Sequence, residues 1–203
     1  ESNFAGDALW AIKDPRLCRF VPLWASTTRA LGIEPHAILL ARHPTEVAHS
    51  LQVRDGLPEP VGNLLWARYL VDAVAGSADM PRTLLRYADL LQDWKKSMAD
   101  LEGTLGINLR HGADVSAAAE AFVMPQLRHH VADNQAPALV ESVYAAVAES
   151  SGNLVSPSWP VSVKQFVQRL APVEGVVNGL SSMLAKTRKA LVATDQVCGD
   201  LRR

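Results

Sequence analysis

The stretch His36-Ala-Ile-Leu-Leu-Ala41, followed by Arg42-His-Pro-Thr-Glu-Val-Ala-His-Ser50, constrains this chain more than any other. The first run has the length and aliphatic density of a strand buried in a parallel sheet. Pro44 suits the first turn of a helix, where the N–H it lacks has no intrahelical partner. Val47, Ala48 and Leu51 then give that helix a buried face. The pattern predicts a strand handing over directly to a helix, with Arg42 at the strand's carboxyl end and Ser50 on the helix. Ligands of open α/β sheets collect beyond the carboxyl ends of strands, and helix N-termini favour anions. A guanidinium and a hydroxyl converging there read as a site for a phosphate or sulfate group. The plainer alternative has Arg42 paired with a surface carboxylate and Ser50 as an ordinary helix residue.

Ala8-Leu-Trp-Ala-Ile12 is a second short apolar run, ending in Lys13-Asp14-Pro15-Arg16. Pro15 disfavours a helical conformation at Asp14, so a strand here gives way to a turn. Val21 to Leu31, with Leu23, Trp24, Thr27 and Leu31 spaced for one face, reads as the connecting helix. The helix Pro60 to Ala75 carries Trp66 and Tyr69, whose spacing with Leu65 and Val71 packs it onto the sheet. Met80 to Tyr87 reads as a third strand, and Leu90 to Leu105 as a helix stopped near Gly106. Arg68 and Arg82 read as surface charges. The alternation is that of βαβ units with a parallel sheet, which brings Lys13 and Arg42 to one rim.

In this order the motifs resemble bacterial members of the sulfotransferase family. The resemblance rests on Lys13-Asp-Pro-Arg-Leu-Cys-Arg19, Arg42-His-Pro through Ser50, Arg54-Asp-Gly56 and Leu65-Trp-Ala-Arg-Tyr69. A weaker match lies at Arg86-Tyr-Ala-Asp-Leu-Leu91, and an echo at Met124-Pro-Gln-Leu-Arg-His-His130. It implies an α/β domain with a partial P-loop-like parallel sheet flanked by helices. It also implies sulfonate transfer from 3′-phosphoadenosine-5′-phosphosulfate (PAPS) to a hydroxyl, without a metal. By the same resemblance Arg42 and Ser50 grip the donor's 3′-phosphate, Lys13 lies near the transferred sulfonate, and Tyr87 lies near the adenine. Cytosolic members carry a catalytic His just after that Lys, whereas this chain has Asp14. Asp14 is placed to accept the acceptor hydroxyl's proton, although Asp before Pro at a turn more often pins backbone N–H groups. In-line sulfonyl transfer depends on positioning and on cations at the departing group. Around His129-His130 two readings stand: a solvated helix end or loop, or Arg128 and a neighbouring His closing over the donor.

The family's 5′-phosphosulfate loop is a Gly/Ser/Thr-rich turn expected well upstream of Lys13. Glu1-Ser-Asn-Phe-Ala-Gly6 is not such a cradle. The expectation is therefore the carboxyl-terminal part of a longer polypeptide, with half a donor site and inactive alone. The 203 residues are 48% hydrophobic and carry a formal net charge of -1. That suffices for one domain with a core plus an appendage, and it lacks the basic excess that general nucleic-acid binding needs. No apolar run approaches a membrane span. Cys18 reads as a buried thiol of a reducing, cytoplasmic setting, since Cys198 lies far away in sequence. No Cys/His spacing suits zinc, and adjacent His129 and His130 cannot both be ligands from one helix face.

Beyond Gly112 the chain reads as helical at Val115 to Phe122 and Ala136 to Glu149, and Ser150 to Pro160 has linker composition. Val163, Phe166, Leu170, Val173, Val177, Leu180, Leu184, Thr187 and Leu191 then keep a three-four spacing, extended by Thr194, Cys198 and Leu201. That is a coiled-coil seam, broken or started at Pro172 and weakened by Gly175 and Gly179. The expected divisions are a sulfotransferase-like part (1–131), a helical segment and linker (132–158), and a long helix (159–203). The last serves self-association, spaces a fused module, or packs back on the core. Two functions from different classes follow. One is a PAPS-dependent sulfotransferase acting on a hydroxyl of a saccharide or cell-surface glycan. The other is a non-catalytic interaction module with a degenerate α/β part and a self-associating helical tail. A nucleotide kinase would need a Walker-type loop that the chain lacks.

Overall fold

Aliphatic density at Ala37–Ala41 and Arg82–Arg86 produces two strands, β1 and β2, paired in parallel with Ala37 opposite Arg82 and Ala41 opposite Arg86. The structure is a computed structural model that describes residues 9–109, 112–123 and 135–150, and Gln168, Arg169, Lys186 and Lys189. Among the described residues the architecture is mixed α/β, with this two-stranded sheet and seven α-helices. The helices are α1 (Val21–Ala30), α2 (Pro44–Asp55), α3 (Glu59–Gly76), α4 (Tyr87–Gln92), α5 (Trp94–Leu105), α6 (Ala113–Phe122) and α7 (Ala138–Glu149).

Pro44 opens α2 as its spacing requires, and Gly56 closes it in the left-handed conformation, φ 68°. α3 then doubles back against α2. At Gly62 a Cβ would lie 2.9 Å from the Ala48 Cα, so the hairpin is close because both contact residues are small. α3 also packs on β1, α5 packs on β2, and α7 packs on α3. The core joins Leu39 and Ala41 of β1, Leu84 of β2, and Trp66, Ala67, Leu70, Val71 and Val74 of α3. Val140, Val143, Ala146 and Val147 add the buried side of α7. The valines alone would contribute about 1.5–3 kcal/mol each by leaving water.

Several expectations are corrected. Residues 9–12 form no strand; the chain turns at Asp14 into a short 3₁₀ helix over Pro15–Arg19, and Leu9 and Ile12 are exposed. Apolar composition favours a strand, but a strand exists only where a ladder partner lies alongside. β1 has β2 as its sole partner among the described residues. On α1 the predicted inward stripe faces outward: Leu23 is 62% and Leu31 71% exposed, with Trp24 exposed too, while Ala25 and Thr28 are buried. The helix meets α3 through small contacts, since a Cβ on Gly76 would lie 3.0 Å from the Val21 Cβ. Ile38 and Leu40 leave one face of β1 bare, unlike a parallel strand covered on both sides. Leu90 to Leu105 is two helices rather than one, parted at Asp93, whose side chain caps α5 by accepting from the Lys96 N–H at 2.9 Å.

The chain divides into Glu1–Trp159 and Pro160–Arg203. In the second unit Gln168 and Arg169 are helical and exposed, as are Lys186 and Lys189. The seam from Val163 to Leu201 lies outside the described residues. Among the described residues no helix is long and apolar enough to cross a membrane.

Candidate functional site

In-register parallel pairing ends both strands at one level, because Ala41 lies opposite Arg86. The next residues, Arg42 and Tyr87, therefore leave the carboxyl rim side by side. The Arg42 Cζ stands 5.1 Å from the centroid of the Tyr87 ring. One turn into α2, the Glu46 carboxylate accepts a 2.8 Å hydrogen bond from Arg42 Nε. The Glu46 side chain is 2% exposed and that of Arg42 24%. Arg42 Nη2 is buried and has no hydrogen-bond partner among the described residues. Leaving such a donor unmet costs about 1–3 kcal/mol, more for a charged group, and an acceptor that reached it would offset that cost.

Arg42 thus pairs with a carboxylate, but with a buried one one turn along the helix rather than a surface one. Ser50 lies a further turn along α2, half-buried and on the Glu46 face of the helix. Among the described residues no hydrogen bond joins it to Arg42. His43, between Arg42 and Pro44, has its Nδ1 2.8 Å from Thr45 Oγ1. Its ring meets Tyr144 edge-on with centroids 4.6 Å apart, and Tyr144 stands 6.1 Å from the Trp66 ring. Residues of α7 therefore reach the rim, which the sequence reading missed. The available signal was one aromatic, Tyr144, in a helix whose other apolar residues are Ala, Val and Leu139.

Lys13 is exposed. Asp14 accepts the Arg16 backbone N–H at 2.8 Å and the Arg16 Nη2 at 2.6 Å, capping the 3₁₀ turn. Arg16 beside it holds the Asp14 carboxyl down at about 2. A carboxyl with so little proton affinity is a weak base, and its oxygens are already engaged. The turn packs on α3, where Asp72 takes Arg19 at 3.0 Å and Arg68 at 2.9 Å. Arg82 donates to the Val74 carbonyl at 2.6 Å. Arg68 and Arg82 are therefore half-buried structural cations, not surface charges. No hydrogen bond or ion pair among the described residues links Lys13 or Asp14 to Arg42, Glu46 or Tyr87.

Cys18 donates to the Pro15 carbonyl at 2.8 Å, and burial pushes its thiol up to about 11, which suits a structural group rather than a nucleophile. Among the described residues no group of three or more His, Cys, Asp or Glu could hold a metal ion. Arg128, His129 and His130 lie outside the described residues. A second buried orphan, the acceptor Asn63 Oδ1, sits on α3 beside Gly62. No protein-family model, curated protein or solved structure matches the chain.

Proposed function

We propose that the chain carries the 3′-phosphate half of a PAPS site and belongs to a sulfotransferase with a partial P-loop-like core, acting on a hydroxyl of a saccharide. The observation that carries this reading is the unpartnered Nη2 of Arg42, held over Tyr87 at the ends of two parallel strands. An anion at that rim meets the guanidinium fork and the N-terminus of α2 together. Ser50 lies further along the same side of α2 and, by the family resemblance, would be the second group toward the 3′-phosphate. Lys13 would balance charge on the departing phosphate, while Asp14 keeps its capping role. The reduced Cys18 suits a cytoplasmic setting.

The test is calorimetric titration with adenosine 3′,5′-bisphosphate, with adenosine 5′-monophosphate as comparison ligand and Arg42→Ala as comparison protein. A charge-assisted bond to the 3′-phosphate predicts a preference of about tenfold or more, lost in Arg42→Ala. Equal affinity for the two nucleotides would end this reading. A second reading, a non-catalytic assembly module, draws on the bare apolar stripe of Phe20, Leu23, Trp24 and Leu31 and on exposed Ile38 and Leu40. It predicts concentration-dependent association in sedimentation velocity, reversed by charge placed in the stripe.

A further inference from the structure

Family resemblance puts Tyr87 near the adenine; the geometry gives its ring another task. We infer that Tyr87 is a positioning residue for Arg42, its ring face setting the guanidinium plane so that the fork is poised for a phosphate monoester. The inference rests on the reading that Arg42 takes the 3′-phosphate.

A guanidinium held at Nε alone keeps one soft motion, a swing of its plane about the axis of that hydrogen bond. Glu46 provides the single in-plane anchor at 2.8 Å. The Tyr87 ring has the Arg42 Cζ over it, 5.1 Å from its centroid, and attracts the cation through its negative face, which opposes that swing. Tyr87 is half-buried at the strand-to-helix junction. It is the first residue of α4, directly after β2, and Arg86 and Asp89 brace that turn with a 2.6 Å ion pair. Glu46 is buried, at 2% exposure. The two supports come from different strand–helix junctions, and the strand register brings them together. Preorganisation of this kind raises affinity by removing the ordering cost on binding.

An adenine contact and a guanidinium platform are separable. Stacking on the base would change the affinities for the 5′-monophosphate and the 3′,5′-bisphosphate alike. A platform for Arg42 changes only the increment due to the 3′-phosphate. Calorimetry on the full chain would compare both nucleotides with wild type, Tyr87→Phe, Tyr87→Trp and Tyr87→Leu. Phe and Trp keep a ring face, so the preference for the bisphosphate stays within about twofold of wild type, Trp being the best cation platform. Leu removes the face, and the preference drops about threefold to tenfold while monophosphate affinity stays near its starting value. Equal weakening of both nucleotides by Leu overturns the inference and assigns Tyr87 to the base. Loss of preference in Phe or Trp also overturns it, and these variants keep the test decisive if Leu unfolds. A wild-type chain with no preference for the bisphosphate overturns the underlying reading and the inference with it, whereas a wild-type preference unmoved by Leu overturns the inference alone.

Discussion

Replacing Gly62 with Ala puts a Cβ into the contact between α2 and α3, and its effect can be worked out. The added atom would sit 2.9 Å from the Ala48 Cα and 3.1 Å from its Cβ. Ala48 is fully buried, and the nearer atom is backbone, so no rotamer change relieves the clash. The two helices must part by a few tenths of an ångström, and overpacking of this kind costs about 1–3 kcal/mol. Against it stands the helix-propensity gain of Ala over Gly, roughly 0.5–1 kcal/mol. The balance is a net loss of up to about 2.5 kcal/mol, centred a little above 1. Gly103 provides the opposite case: it lies in α5 with nothing within 4 Å of a Cβ, so Gly103→Ala keeps the propensity gain alone. Urea denaturation followed by circular dichroism would place Gly62→Ala below wild type and Gly103→Ala above it. If Gly62→Ala matched Gly103→Ala in stability, the close approach of the helices would be refuted. Because α2 also carries Glu46, an outward shift loosens the anchor of Arg42 as well.

Other perturbations test the rim and its surroundings. Glu46→Gln removes the counter-charge of Arg42; a fully buried pair would lose about 3–5 kcal/mol, and with Arg42 24% exposed the loss is discounted to about 1–3 kcal/mol. An unchanged thermal midpoint in Glu46→Gln would contradict the burial of that pair. Asp14 is held at about 2 by Arg16, below its ordinary 3.8. A depressed carboxyl contributes stability that is present above 3.8 and lost as pH falls through about 2. NMR titration of Asp14 finds a midpoint near 2 that climbs towards 3.8 in Arg16→Ala, and an ordinary midpoint in wild type would show the pair absent. Leu23→Lys and Leu31→Lys each change unfolding free energy by less than about 0.5 kcal/mol, because both side chains already face water. Ala25→Lys on the buried side is the contrast, and a large loss from either leucine would place the stripe in the core instead.

Local chemistry made the strand-to-helix junction legible: the aliphatic run and Pro44 delimit β1 and the start of α2, and Gly106, at φ 64°, ends α5 as its position suggests. The facing of α1 was not legible. Periodicity shows that a helix has an apolar side, not that anything covers it. Which side packs was decided by side-chain size at Ala25 and by the close approach of Val21 to Gly76. The Ala8–Ile12 expectation failed for a related reason, since strand propensity is local while the ladder it needs is not. In the site, Arg42 at a strand end could be read directly. Its meeting with Tyr87 depends on the register of two strands about 45 positions apart, and Tyr144 arrives from about a hundred residues away.

Glu46 shows what such a reading gains from the fold. By spacing alone an Arg and a Glu four apart are an ordinary helix-surface pair, worth a few tenths of a kcal/mol. Burial changes its meaning. The carboxylate offsets much of the guanidinium's charge while engaging Nε, and the buried Nη2 is left without a partner. An anion bound there would be held by the geometry of the fork and by the first turn of α2. The formal charge of -1 on the whole chain adds no attraction from a distance. Raising salt from 50 to 200 mM should therefore weaken binding of adenosine 3′,5′-bisphosphate only slightly, because exposed charge is screened and a half-buried fork much less. A steep salt dependence would mean that exposed lysines and arginines, rather than Arg42, do the binding.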